Sequence, residues 1–69
     1  MSYSRRKVLK ALAQHGVVVL RECGSHTIIQ ALNGRTTTLP RHADLNRVTV
    51  RKIIRQLQLN WEEVHGDLS

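Results

Sequence analysis

The sequence predicts a small α+β domain in which a first helix, three antiparallel strands and a second helix follow one another, with a short helix at the end. Three observations predict this class. The chain has 69 residues, enough for one hydrophobic core. Two segments carry apolar residues at helical spacing, and the segment between them is rich in β-branched residues and turn-forming pairs. We therefore expect residues 1–69 to form a single domain, with an aliphatic core because the sequence has no Phe.

The first helix and the first strand occupy the beginning of the chain. The helix is predicted to begin after Ser4, a residue type that caps helix N-termini, and to end near Gly16. Its apolar positions recur at helical spacing: Val8, Leu9, Leu12 and Ala13. Residues 17–20 form a continuous apolar run, which predicts a buried strand whose end, at Arg21 and Glu22, reaches solvent.

Two turns separate the remaining strands. A Gly-Ser pair at residues 24–25 predicts the turn into a second strand over about residues 26–32. Asn33-Gly34 predicts a type I′ hairpin turn, because both residue types tolerate a positive φ. The third strand, residues 35–39, contains three consecutive threonines and stops at Pro40, which has no N–H to donate. At least one of these hydroxyls must point away from the core.

The second helix follows a polar loop over residues 41–46 and is predicted over residues 47–58. Its apolar residues follow the i, i+3, i+4, i+7 pattern: Val50, Ile53, Ile54 and Leu57. Asn60 and Glu63 are spaced as a capping box and predict a short C-terminal helix, from which Trp61 is free to pack back. Each helix has one apolar stripe, so we expect both to cover the same face of the sheet and the other face to meet solvent or a ligand.

The charge of the chain indicates the class of its partner. Eleven Lys and Arg stand against five Asp and Glu, a net charge of +6, which is typical of proteins that bind nucleic acid or another polyanion. Arginine outnumbers lysine eight to three, which favours bidentate contacts to phosphate. On the second helix Arg51, Lys52 and Arg55 are candidates for RNA contact, although a solvated charged face explains them equally well.

The strongest indication of chemistry is Gly24-Ser25-His26, at the start of the predicted second strand. The ordinary pKa of histidine allows it to act as acid and as base near neutrality. In a cationic chain, His26 therefore predicts proton transfer beside a bound phosphate backbone, and a turn histidine without a role is the alternative. Ser25 either contacts a phosphate oxygen or completes the turn that presents His26, and the turn role is favoured.

Cysteine and histidine usage argues against other chemistries. Cys23 is the only cysteine, so neither a disulfide framework nor a thiolate zinc site is expected. A nucleophilic pair of Cys23 and His26 is less favoured than the alternative, in which Cys23 is a small, semi-buried residue at a strand end. The four histidines fit no metal spacing, so we expect no metal and no cofactor, and His15 and His65 are expected at the surface. No signal peptide or membrane-spanning stretch is apparent, which predicts a soluble cytoplasmic protein without a membrane partner.

The predicted element order is also that of double-stranded-RNA-binding domains, and the motifs together resemble the HicA toxin family. The resemblance is carried by Arg21-Glu22-Cys23-Gly24-Ser25-His26, Leu39-Pro40-Arg41-His42 and the segment 50–57, and it extends from the first helix to residue 64. It implies a toxin of a type II toxin–antitoxin pair, a ribonuclease acting on mRNA, which a HicB-like antitoxin neutralises. We expect that antitoxin to cover His26 and the basic face.

The resemblance also implies roles for particular residues. It assigns the catalytic role to His26 and aligns His42 with the Pro-x-His histidine of the family. The sequence departs from the family in three places: residues 27–29 lack the aromatic that often follows the Gly-Ser-His motif, Arg47-Val48-Thr49 replaces a Gly-Thr pair, and Gln58 stands where glycine is common. The first departure weakens any argument for base stacking near the site.

Cleavage of RNA without a metal requires a base for the ribose 2′-OH, an acid for the leaving 5′-oxygen and positive charge on the pentavalent phosphate. We expect His26 to be the base or the acid, complemented by His42, Arg21 or water, with Arg41 neutralising the developing charge and products ending in a 2′,3′-cyclic phosphate. The main alternative is a non-catalytic RNA- or DNA-binding module of the same fold, and a protein-binding adaptor is a third hypothesis.

Overall fold

The structure is a computed structural model that describes residues 2–68. The predicted order of helix, three strands, helix and short terminal helix is confirmed, and two short strands add to it. In chain order the elements are β1 (Ser2–Ser4), α1 (Arg5–Gln14), β2 (Val18–Cys23), β3 (His26–Gln30), β4 (Thr36–Pro40), β5 (Asp44–Asn46), α2 (Arg47–Gln56) and α3 (Trp61–Leu68).

The main sheet is antiparallel, with β3 between β2 and β4. On β3, Thr27 and Ile29 are fully buried, and on β4 Leu39 is fully buried, so these side chains point toward the helices. Because side chains alternate along a strand, their neighbours project from the opposite side, which we call the helix-free face. Its residues are Val18, Arg21, Cys23, His26, Ile28, Gln30, Thr36, Thr38 and Pro40.

The hydrophobic core lies between the other face of the sheet and the helices. All four predicted apolar positions of α2 are buried, at 4% exposure or less. In α1, Val8 and Leu12 are buried as predicted, whereas Leu9 is half-buried and Ala13 is exposed. Ala11 takes the place expected of Ala13 in the core. Val64 and Leu68 of α3 close the same core.

The prediction of a buried first strand over residues 17–20 is wrong. Only Val17 is buried, and it precedes β2, whereas Val18, Val19 and Leu20 are about half exposed. β2 is an edge strand, and its register shifts at a bulge between Val19 and Arg21. Edge strands lack a neighbour on one side, so an apolar run there does not become buried as it does in a central strand.

The turn between β3 and β4 is not the predicted type I′ turn. Gly34 has a φ of 89°, but Asn33 is not among the described residues with positive φ. The loop is closed by the bond from Ala31 N to Arg35 O and contains three residues, with the glycine in the left-handed position. Asn33 has another role, because its Nδ2 donates to the carbonyl oxygen of Leu57 at 3.0 Å and ties the hairpin tip to the end of α2.

The segment predicted as a polar loop over residues 41–46 contains a strand. β5 pairs with β1 in a two-stranded antiparallel sheet, with Tyr3 opposite Leu45. Leu45 is 2% exposed and belongs to the core. The backbone N–H of Arg5 also donates to Ala43 O at 2.8 Å, so the start of α1 is attached to the segment that precedes α2. Three-residue strands carry too little periodicity to be predicted from sequence.

The helix ends follow the predictions in part. Ser4 occupies the N-cap position of α1, but its side chain makes no capping hydrogen bond. Gly16 ends α1 as predicted, with a φ of 83°. Gly16 N donates to Ala13 O and Val17 N to Leu12 O, the two bonds of a Schellman motif. α2 ends at Gln56, two residues earlier than predicted.

Gln58 follows α2 in the same left-handed conformation, with a φ of 58°. Replacing it by glycine is expected to stabilise the fold by about 0.5–1 kcal/mol, because a Cβ costs roughly 1–2 kcal/mol in this conformation and glycine's greater freedom in the unfolded chain offsets part of the gain. Urea denaturation measures the change. Gln58→Ala keeps the Cβ and serves as the control, which we expect to lie near the wild type. A Gly variant less stable than this control would contradict the expectation.

α3 contacts both β1 and the C-terminal end of α1. Asn60 caps it as predicted, with its Oδ1 accepting from the N–H groups of Glu62 and Glu63 at 2.9 and 3.3 Å. Trp61 packs edge-on against Tyr3, with ring centroids 6.4 Å apart, while exposed His65 lies 5.1 Å from the Trp61 ring. His15, expected at the surface, is half-buried beside the end of α1, and its Nε2 lies 2.9 Å from Asp67 Oδ2. This contact joins the C-termini of α1 and α3.

Candidate active site

The turn between β2 and β3 presents His26. Gly24, with a φ of 52°, and Ser25 form the predicted turn, and His26 is the first residue of β3. The register places His26 opposite both Cys23 on β2 and Pro40 on β4. Ser25 Oγ lies 3.3 Å from His26 Nδ1. The imidazole is exposed on the helix-free face, so a ligand outside the protein has access to it.

Arg41 is attached to the same turn. Its backbone N–H donates to Ser25 O at 3.1 Å, and its Nη1 donates to Gly24 O at 3.4 Å. The end of β4 and the start of β3 are neighbours at one end of the sheet, so the guanidinium of Arg41 lies beside the turn that carries His26. His42 follows in the exposed loop. The structure therefore brings the predicted Ser25, His26 and Arg41 together and places His42 just beyond them.

A carboxylate, Glu22, organises the other side of the turn. Its Oε1 lies 3.7 Å from Arg41 Nε and 3.6 Å from Arg5 Nη2, and it accepts a hydrogen bond from Thr27 Oγ1 at 3.1 Å. Arg5 Nη2 in turn donates to Thr27 Oγ1 at 2.5 Å, and Arg5 Nε donates to Pro40 O at 3.2 Å. One acidic side chain thus pairs with two arginines from distant parts of the chain.

Sequence reasoning did not identify Arg5 and Glu22 as parts of the site. The only available signal was the register, which sets Glu22 opposite Thr27 once the turn at residues 24–25 is fixed. For Arg5 there was no signal, because it reaches Pro40 across 35 positions of sequence.

Thr27 links Arg5 and Glu22 in this network and is fully inaccessible to solvent. Thr27→Val keeps the shape and removes the hydroxyl, so the bonds to Arg5 and Glu22 are both lost. We expect the free energy of unfolding to fall by about 1–2 kcal/mol, because the partners keep some access to solvent. Thr38→Val, on the exposed face of the next strand, is the control, with an expected change below about 0.5 kcal/mol. Equal losses in chemical denaturation of the two variants would contradict this assignment.

Arg21 and Cys23 share the helix-free face with His26. Arg21 lies opposite Ile28, is exposed, and makes no ion pair or side-chain hydrogen bond within the described residues. Its guanidinium is therefore available to a ligand. Cys23, expected to be semi-buried, is an exposed free thiol.

The cations of α2 form a separate surface. Arg51, Lys52 and Arg55 are exposed and line an open groove together with Val48, Leu59 and Trp61. The guanidinium of Arg51 stacks 5.1 Å from the centroid of the Trp61 ring. α2 packs against the core side of the sheet, whereas His26 projects from the other side. The structure therefore does not bring these cations together with His26.

Residues 5–59 match the family model described as the HicA toxin of bacterial toxin–antitoxin systems. No curated protein matches the chain. Among residues 2–68 no helix combines the length and the apolar character needed to cross a bilayer.

Proposed function

We propose that this chain, which belongs to the HicA toxin family, cleaves mRNA by a metal-independent reaction in which His26 transfers the proton. Family membership makes it a toxin of a toxin–antitoxin system and a nuclease in general terms. The catalytic residue, the independence of metal and the site of action in the cytoplasm are parts of the proposal. So is the assignment of residues 1–69 to one domain.

The observation that carries the proposal is the setting of the His26 imidazole. Nδ1 lies 3.3 Å from Ser25 Oγ, while Nε2 has no hydrogen bond within the described residues, and His26 as a whole is exposed. A histidine whose one nitrogen is held by a neighbour presents the other in a defined direction. In this proposal Ser25 is the positioning residue and Nε2 of His26 is the atom that exchanges a proton with RNA.

Arg41 supplies the positive charge that the reaction requires. Its guanidinium donates to Gly24 O and pairs with Glu22 at the turn, and the Arg41 side chain is about half exposed. A fixed cation at the turn that carries the imidazole stabilises the added negative charge of a pentavalent phosphate without the cost of being reoriented during the reaction. Glu22 leaves Arg41 partly neutralised in the free protein, and we expect phosphate oxygens to share this guanidinium in the complex.

The proposed reaction is an internal transfer followed by release of the downstream strand. The ribose 2′-oxygen attacks the adjacent phosphorus, its proton passes to a base, and the bond to the 5′-oxygen breaks as that oxygen receives a proton from an acid. The upstream product ends in a 2′,3′-cyclic phosphate, and the downstream product begins with a 5′-hydroxyl. His26 performs one of the two proton transfers, and His42 or water performs the other.

The end groups of the products test this reaction. Purified protein incubated with single-stranded RNA in EDTA is expected to cleave it at the same rate as in Mg²⁺ at equal ionic strength. Mass spectrometry should then find 2′,3′-cyclic phosphate on the upstream fragments. RNA in which every 2′-OH is methylated is the matched control and should stay intact. Cleavage that requires a divalent ion, or that yields 3′-hydroxyl ends, would contradict the mechanism.

The protein partner in the proposal is a HicB-like antitoxin. A side chain as exposed as His26 is blocked most directly by a surface that covers it, and the basic character of the chain favours an acidic or shape-complementary partner. We expect the antitoxin to bury His26 and the neighbouring Arg41. A structure of the complex in which His26 stays open to solvent would contradict this part of the proposal.

A further inference from the structure

We infer that the substrate is single-stranded RNA that lies along the helix-free face of the main sheet, with Arg21 binding a phosphate and the hydroxyls of Thr36 and Thr38 contacting the sugar–phosphate backbone. This inference rests on the proposed function and adds the path of the strand and the class of RNA.

The side from which His26 is accessible determines which face of the sheet the RNA contacts. The other side of β3 and β4 is filled by the fully buried side chains of Thr27, Ile29 and Leu39 under the helices. His26 projects away from this core. An RNA strand whose phosphate reaches the His26 imidazole must therefore approach from the helix-free side.

The charges on the helix-free face suit a polyanion. Arg21 is exposed there without an ion-pair partner within the described residues, and in the register it lies diagonally across from His26. Within residues 2–68 the face carries no side-chain carboxylate, because all five Asp and Glu lie elsewhere. Glu22 points to the helix side, Asp44 is in β5, and Glu62, Glu63 and Asp67 are in α3. A phosphate on this face meets no repulsion from a neighbouring acid.

The size and chemistry of the helix-free face indicate that the RNA is single-stranded. Three β-strands about 4.8 Å apart, each with five residues of about 3.3 Å, give a surface of roughly 10 by 17 Å, which accommodates a few nucleotides. Double-stranded RNA is read differently in similar folds, over about 16 base pairs and two minor grooves. Among the described residues the face carries neither Tyr nor Trp for base stacking, so the expected contacts are made by Arg21, Thr36 and Thr38 to phosphate and sugar.

The single cysteine of the chain tests the path directly, because Cys23 lies on the helix-free face opposite His26. The experiment measures alkylation of Cys23 by N-ethylmaleimide in the His26→Ala protein, with and without saturating mixed-sequence single-stranded RNA. We expect the RNA to slow alkylation about tenfold. The control is Cys23→Ser/Lys52→Cys in the same background, which moves the thiol to α2, and its rate should be unchanged by RNA.

Protection of the thiol on α2 instead of Cys23 would overturn the inference and assign the RNA to the cations of α2. Protection of neither thiol at saturating RNA would overturn it as well. The inferred path and the proposed function can fail independently. If the wild-type protein cleaves RNA while Cys23 stays unprotected, only the path is disproved. Protection of Cys23 without any cleavage by the wild type disproves the nuclease and leaves an RNA-binding face.

A pair of arginine variants provides a second test by fluorescence anisotropy. Arg21→Ala is expected to weaken binding of single-stranded RNA about tenfold and to lower the slope of log affinity against log salt by about one, as loss of one phosphate contact does. Arg6→Ala removes an exposed arginine from α1 and is expected to change affinity less than twofold. Equal effects of the two variants would contradict the inferred path.

Discussion

Replacing His26 by alanine is expected to lower the rate of RNA cleavage by at least about 100-fold, because a positioned acid–base group typically contributes 10²–10⁴-fold. In cells, induction of the wild type should stop growth and degrade mRNA, while His26→Ala should do neither. His26 is exposed and is not part of the buried core, so its removal should leave the fold intact. Northern blots after induction, together with in vitro cleavage rates, measure the effect.

Two controls make this result specific to the imidazole at the turn. His65→Ala removes another exposed imidazole, in α3, and is expected to keep at least half of the wild-type cleavage rate. Thermal denaturation of both variants should give melting temperatures close to that of the wild type. Equal toxicity of wild type and His26→Ala at matched soluble levels would overturn the assignment, and absence of toxicity in both would favour the non-catalytic RNA-binding alternative.

Replacing Leu12 by alanine is expected to cost about 2–5 kcal/mol, the range for a buried leucine whose cavity the surroundings do not fill. Leu12 is fully buried in α1, and its carbonyl accepts the bond from Val17 that closes the helix. A domain of 69 residues has a total stability of roughly 3–10 kcal/mol. At about 4–8 °C per kcal/mol, the melting temperature should fall by at least about 8 °C. Circular dichroism during heating measures it.

Leu20→Ala is the matched control for this prediction. Leu20 lies at the bulge of the edge strand β2 and is 49% exposed, so its truncation should cost less than about 1 kcal/mol. Soluble Leu12→Ala protein with a melting temperature like that of Leu20→Ala would show that the core tolerates the cavity, contrary to the packing in the structure.

The sequence predicted the helices well because their signal is local and periodic. In α2 the apolar stripe of Val50, Ile53, Ile54 and Leu57 marks one face, and that face is buried. The same kind of evidence failed for β2. A run of Val and Leu predicts a strand, but it does not tell a central strand from an edge strand, because that difference depends on which neighbours the fold supplies. Tertiary pairing therefore decided the exposure of Val18, Val19 and Leu20.

The candidate site was predictable as far as its parts are adjacent in sequence. Ser25 and His26 stand in one motif, and the hairpin brings Arg41 to them once the register is known. The remaining support could not be predicted. Arg5 meets Thr27 and Glu22 only because the fold brings the start of α1 to β2 and β3, and no spacing rule connects residues so far apart in the sequence.

The pairing of β1 with β5 has a consequence for protein synthesis. The chain leaves the ribosome from its N-terminus, and contacts distant in sequence form only after the intervening loop has closed. Ser2 therefore cannot pair until Asn46 has been synthesised, and Arg5 cannot donate to Pro40 O until Pro40 has been synthesised. A nascent chain that has already released the hairpin with His26 has its α1 but still lacks α2 and α3. The hairpin that carries His26 is therefore synthesised before α2, and we expect it to reach its packed setting only after α2 has emerged.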